Sequence, residues 1–183
     1  LTILTIHRKA DFVGPEALER TLGHRFELRL GANESPFGAS QSALEAAVDE
    51  VPRSWRYGDS KSYDLKQVIA EATGVPSDRL VIGNGIDDLL RRATRLLMDV
   101  GSVAVATAGT YPLFGRMVEE AGGLLSTVPY GADYRVNLDA LWTAAEATRA
   151  QVVYVANPDN PTGSALAELD LFQLASRLSE SCL

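Results

Sequence analysis

Val103-Ala104-Val105-Ala106, then Pro112 to Ala121, then Gly122-Gly123, then Leu124-Leu125-Ser126-Thr127-Val128 is the stretch that decides the fold. The first and last pieces are short, apolar and partly β-branched, which suits buried strands. The middle piece has the length and apolar spacing of one helix, and two glycines stop it. Strand, helix, strand in that order predicts a parallel pair joined by a crossover.

The same alternation continues outward. Upstream, Leu80-Val81-Ile82 reads as a short strand, followed by Gly83-Asn84-Gly85 and a helix over 86–100. Ile86, Leu89, Leu90, Ala93, Leu96, Leu97 and Val100 form its apolar stripe. Downstream, 138–147 reads as a helix, Gln151 to Ala156 as a strand, and 168–178 as a helix. Cys182-Leu183 reads as the start of a further strand. Two more helices are expected over 40–51 and 63–73, with Ser62 as N-cap and Gly74 as stop. Phe26, Leu28 and Leu30 alternate with charges, a half-buried strand signal. The expected architecture is an α/β fold, a three-layer, mostly parallel sheet with helices on both faces, preceded by an N-terminal arm. Residues 1–39 are assigned to the arm and 40–183 to the sheet domain.

Composition narrows the function classes. The chain has 183 residues, 46% hydrophobic and 22% charged, enough for one real core. Its net charge of −7 comes from 24 acidic against 17 basic residues, which argues against nucleic acid as a partner. No apolar run approaches the roughly 20 residues of a membrane span. One cysteine, Cys182, excludes an internal disulfide and suits a cytoplasmic location. His7 and His24 lack ligand-spaced neighbours, so no metal site is expected. Leu1 in place of methionine and the strand-like last residues lead to the expectation that the chain is the opening part of a larger sheet.

Several strings could carry chemistry. Asn157-Pro158-Asp159-Asn160-Pro161-Thr162-Gly163 ends a strand abruptly, and its amides can bond a hydroxyl or phenolate without adding charge. Gly83-Asn84-Gly85-Ile86-Asp87-Asp88 follows a short apolar run and opens a helix, a design that suits an anion. A dinucleotide fingerprint fails there because its third glycine would be Asp88. No Walker string is present. Ala108-Gly109-Thr110-Tyr111-Pro112 offers an aromatic at a strand-to-helix turn. Phe114 is expected to pack the helix on the sheet. Asn33-Glu34-Ser35-Pro36 and Arg56-Tyr57-Gly58-Asp59 are polar turns, weak signals by themselves.

Taken together and in this order, these strings resemble the class I/II, fold-type I aminotransferases that use pyridoxal 5'-phosphate. Asn33-Glu34-x-Pro36 and Arg56-Tyr57-x-Asp59 resemble the histidinol-phosphate aminotransferase subgroup. The resemblance implies an aminotransferase of amino-acid biosynthesis acting on an amino donor and a 2-oxo acid, histidinol phosphate with 2-oxoglutarate leading. It implies that the amides of Gly85, Ile86 and Asp87 hold the cofactor phosphate and that Tyr111 stacks on the pyridine ring. Asn160 would bond the ring's 3-oxygen, and Tyr57 would reach a neighbour's cofactor phosphate across a homodimer. Asn33 would lie near substrate. Ile86 stands where the family usually has a small residue, Gly58 replaces a common proline, and Asp159 replaces a frequent asparagine, a mild change. The Schiff-base lysine of the family has no counterpart among Lys9, Lys61 and Lys66. No catalytic residue is therefore assigned, and this chain alone is expected to be inactive. The alternative is a non-catalytic phosphate-ligand-binding or interaction protein built on half the fold.

Overall fold

The computed structural model describes residues 13–183, which form two compact units, 13–82 and 83–183.

In the first unit, α1 (Pro15–Leu22) starts on a proline and ends at Gly23 in the left-handed region. Helix α2 (Gln41–Glu50) is capped by the Ser40 hydroxyl, which accepts from the Ala43 N–H at 3.3 Å. A 3₁₀ turn over Val51–Arg53 continues it. Helix α3 (Tyr63–Thr73) ends where Gly74, at φ 73°, donates to Ala70. These helices sit where the apolar spacing put them, but the faces read as inward stay open. Leu44, Val48, Val51, Leu65 and Val68 are exposed within the chain. Ser62 does occupy the N-cap of α3, yet its side chain makes no capping bond. The Asp59 carboxylate takes that task, accepting from Tyr63 N–H at 2.6 Å and Lys61 N–H at 2.9 Å. Its carboxyl is held below the usual range by the Lys61 and Tyr63 backbone N–H groups.

Two expected strands do not form. Around Phe26–Leu30 local side chains take over the polar groups. The Phe26 N–H donates to Glu19, and Arg29 pairs with Glu16 and Glu34. Leu28 and Leu30 are 74% and 83% exposed. Leu80–Ile82 stays outside the sheet, because the Leu80 N–H closes a 3₁₀ turn onto Ser77 (3.3 Å) instead of joining a ladder.

The second unit is the sheet. Helix α4 (Gly85–Leu97) leads to β1 (Val103–Thr107), α5 (Pro112–Glu120), β2 (Leu124–Val128), α6 (Leu138–Thr148), β3 (Val152–Val153) and α7 (Glu168–Arg177). All pairings are parallel, in the order β2-β1-β3. Helix α4 is shorter than the 86–100 expected. Met98 turns extended and buries itself, leaving Leu96 and Val100 in solvent. Gly123 makes room for Met98: a β-carbon there would lie 2.5 Å from the Met98 methyl.

Strand alternation builds three layers. Ala104 and Ala106 face Phe114 and Val118 of α5, with Met98 alongside. Val103 and Val105 face Leu141 and Ala145 of α6. Helix α4 packs beside α5, and α7 beside α6. The small alanines of β1 let the α5 layer come close, and the fully buried Val105 and Leu141 fill the other side.

β3 is short as a ladder, but its pairing runs further. Gln151 N–H and Tyr154 N–H donate to Val103 and Val105 carbonyls at 2.8 Å. On its other side, Leu183 N–H donates to Gln151 O and Val153 N–H donates to Leu183 O, both 2.8 Å. Leu183 thus pairs with the backbone on either side of Val152.

Candidate functional site

In an open parallel sheet, ligands sit beyond the carboxyl ends of the strands, where successive connections leave in opposite directions. Here β1 connects to β2 through α5 on one face. The chain then returns through α6 on the other face to β3, on the far side of β1. The crevice therefore opens between the ends of β1 and β3. The two loops that flank it are 108–111 and 154–163.

The first element at this crevice is the start of α4. Gly85 sits at φ 76°, a conformation that suits glycine. Its N–H turns back onto Gly83 O at 3.0 Å, while Asn84 N–H donates to the Asp88 carboxylate at 3.0 Å. That bond, aided by Arg92 at 2.9 Å, holds the Asp88 carboxyl below the usual range. No side chain caps the helix. The amides of Ile86 and Asp87 lie in the first turn, where a helix has no internal acceptor to offer. They are the donors an anion would meet.

The second element is Tyr111, at the N-cap of α5. Its hydroxyl donates to Asp87 Oδ1 at 2.6 Å, tying α5 to α4. Burial and then this bond push the Tyr111 phenol up to about 12, so it stays a donor near neutral pH. Phe114, one turn on, is buried and stacks on Tyr154 with ring centres 4.1 Å apart. It packs the helix on the sheet, as expected.

The third element is the loop after β3. Asn157 does not project from it: its side chain donates to Leu166 O at 3.2 Å and accepts from Leu166 N–H at 2.9 Å. Asn160 is half-buried, and no described residue hydrogen-bonds its side chain. Asp159 is far from a mild replacement. It is 3% exposed and accepts from three hydroxyls: Thr110 at 2.7 Å, Tyr130 at 2.8 Å and Thr162 at 2.8 Å. Burial alone would raise its carboxyl; the bonds from Thr110, Thr162 and Tyr130 outweigh burial and hold it below the usual range. Burial and the Asp159 bond push the Tyr130 phenol up to about 12. One signal for Asp159 was legible: it is the single charged side chain between Arg149 and Glu168. Thr110 and Tyr130 carried none.

Ile86, Asp87, Tyr111 and Asn160 thus come to one end of the sheet. Thr107 to Pro112 and Phe114 also line a cavity of about 280 Å³ with Leu125 and Thr127. Asn33 and Tyr57 belong to the 13–82 unit. There Asn33 has φ 54° and Tyr57 is fully exposed. Lys61 and Lys66 also lie in that unit, and Lys9 lies outside the described residues. Among the described residues, no group of three or more His, Cys, Asp or Glu could hold a metal ion. His7 lies outside them. No described helix is long and apolar enough to cross a membrane.

Known proteins share this sequence and this fold. The family model for aminotransferase class I and II matches residues 27–183. Histidinol-phosphate aminotransferase 2 of Nitrosospira multiformis is 34% identical over 173 residues, covering 91% of this chain and 42% of its own length. Histidinol-phosphate aminotransferase 1 of Nitrosococcus oceani is 31% identical, covering 92% of this chain and 45% of its own. The chain therefore spans less than half the length of these curated relatives. Among solved structures, histidinol-phosphate aminotransferase of Sinorhizobium meliloti, in complex with pyridoxal-5'-phosphate, superposes with a TM-score of 0.89 at 42% identity. It covers 94% of this chain and 47% of its own. The aspartate aminotransferase of Rhizobium meliloti, 20% identical with a TM-score of 0.69, shares the fold. This chain belongs to the aminotransferase class I and II family.

Proposed function

We propose that this chain supplies the binding half of a pyridoxal-phosphate site for transamination. Histidinol phosphate and 2-oxoglutarate are the leading substrate pair, and the setting is a cytoplasmic amino-acid biosynthetic enzyme. The observation that carries this reading is the linkage at the crevice. Tyr111 is bonded to Asp87 of the α4 terminus, and its neighbour Thr110 is bonded to Asp159, the neighbour of Asn160. One planar, phosphorylated ring is the ligand such a set suits.

The residues fit that group one by one. The Ile86 and Asp87 amides and the α4 dipole favour a phosphate dianion. Gly85 keeps the approach open, with its own N–H engaged inside the turn. Tyr111 offers a ring face whose tilt is set by its bond to Asp87. Asn160 can donate to a ring oxygen from an amide with no competing partner in the described chain. When bound, the cofactor supplies an electron sink that acidifies the substrate's amino-bearing carbon. This chain's residues bind and orient; its three lysines all precede the α4 terminus in sequence. Tyr57 is assigned to a neighbour's cofactor phosphate in a homodimer, and Asn33 to the substrate side. The 42% identity to a pyridoxal-phosphate-bound relative supports these roles.

Titration of the chain with pyridoxal phosphate, followed by fluorescence, tests the reading. Saturable binding that Asn160→Ala weakens is expected. Borohydride treatment is expected to leave no single lysine modified. Absence of saturable binding overturns the proposal. The polypeptide purified from its native host is expected to transaminate histidinol phosphate.

A further inference from the structure

Three loops leave the carboxyl ends of β1, β2 and β3, and a single carboxylate holds all three. Asp159 accepts from Thr110 after β1 (2.7 Å), Tyr130 after β2 (2.8 Å) and Thr162 within its own loop after β3 (2.8 Å). Its backbone is fastened too: Asp159 N–H donates to Ser164 O, and Gly163 N–H donates to Asp159 O, both 2.8 Å. Among the described residues, no cation is paired with it. A buried carboxylate satisfied by three hydroxyls and the Thr162 backbone N–H is a costly way to close a loop, since an apolar contact would avoid the desolvation. What the carboxylate adds is direction. It is acceptor-only, with lone pairs for several donors, so it orients every hydroxyl around it. Thr110 immediately precedes Tyr111, and Asp159 immediately precedes Asn160.

We propose that Asp159 is a positioning residue for the ligand, setting the Tyr111 ring and the Asn160 amide at one fixed separation across the crevice. The proposal rests on the pyridoxal-phosphate reading above. It separates two parts of the site. The phosphate is held by the α4 terminus, which Asp159 does not touch. The ring is held by Tyr111 and Asn160, which Asp159 aligns. Loss of Asp159 therefore weakens ring recognition and spares phosphate recognition.

The test uses the full chain and two probes, pyridoxal phosphate and inorganic phosphate, titrated calorimetrically. Asp159→Ala is expected to weaken pyridoxal phosphate about tenfold or more, the loss of charge-assisted bonds. Phosphate affinity is expected to stay within about twofold, a difference below one lost hydrogen bond. Asp159→Asn, which keeps the shape but presents an NH₂ to one side of the hydroxyl cluster, is expected to recover part of the loss. If Asp159→Ala fails to fold, Thr110→Val and Tyr130→Phe each remove one donor and are expected to weaken pyridoxal phosphate selectively. Equal loss for both probes assigns Asp159 a purely structural role and overturns the proposal. So does a folded Asp159→Ala chain with wild-type pyridoxal phosphate affinity. Wild-type chain that binds phosphate but shows no preference for pyridoxal phosphate overturns the ligand reading first, and this proposal with it.

Discussion

The Tyr111 hydroxyl and the Asp87 carboxylate meet at 2.6 Å, joining the first residue before α5 to the first turn of α4. Helices 24 residues apart in sequence thereby share one hydrogen bond at the mouth of the crevice. Removing it with Tyr111→Phe keeps the ring and loses the tie. A stability loss of about 1.5 kcal/mol is expected, the lower end for a bond to a charged, partly exposed acceptor. Urea unfolding of both forms measures it, and an unchanged midpoint contradicts the assignment.

Tyr111 and Tyr130 both have phenols raised from 10.0 to about 12. A raised acid is protonated more readily in the folded chain. The stability it confers is therefore complete below pH 10 and is lost as pH climbs toward 12. Stability is expected to be flat on this account from neutrality to about pH 10 and then to fall. Burial also raises the Tyr154 phenol, so spectrophotometric titration of the phenolates should show Tyr111, Tyr130 and Tyr154 as late tyrosines, one missing in Tyr111→Phe and one in Tyr130→Phe.

Asp159 works at the other end of the scale. Its carboxyl lies below the ordinary 3.8, so its contribution is present above that value and disappears as pH falls through the folded value. Tyr130 and Tyr154 beside it stay protonated there and do not blur the transition. Acid unfolding of Asp159→Asn is expected to be less steep below pH 4 than that of the wild type. Identical acid limbs would remove Asp159 from the acid response.

Leu141 is fully buried against Val105 between α6 and the sheet. Leu141→Ala is expected to cost about 3 kcal/mol, through lost burial plus the cavity it leaves. Guanidinium unfolding monitored by circular dichroism reads this directly. A cost under about 1 kcal/mol would mean that the α6 layer is not the main core.

How far the fold was legible follows from which residues acted locally. β2, α3 and α6 fell where their periodicity and their glycine or polar stops put them, within a residue at each end. Phe26–Leu30 and Leu80–Ile82 have strand-like side chains, but a strand is made by its neighbour. Glu19, Glu16 and Ser77 satisfied those backbones and side chains first. The site divides the same way. Tyr111 and Asn160 stood in recognisable strings. Asp159 gained its role from hydroxyls 49, 29 and 3 residues away, and only the parallel order β2-β1-β3 brings the first two to it.

That order also has a consequence for synthesis. β1 lies in the middle of the three strands but is the first of them to leave the ribosome. Its Ala104 and Val105, dry on both faces in the folded chain, must wait for α5 and β2 on one side and for β3 on the other. While they wait, an apolar strand with two open edges is presented to its surroundings. Nascent-chain aggregation and chaperone capture are therefore expected to concentrate on this short seam, which is buried in the finished molecule and open in the growing one.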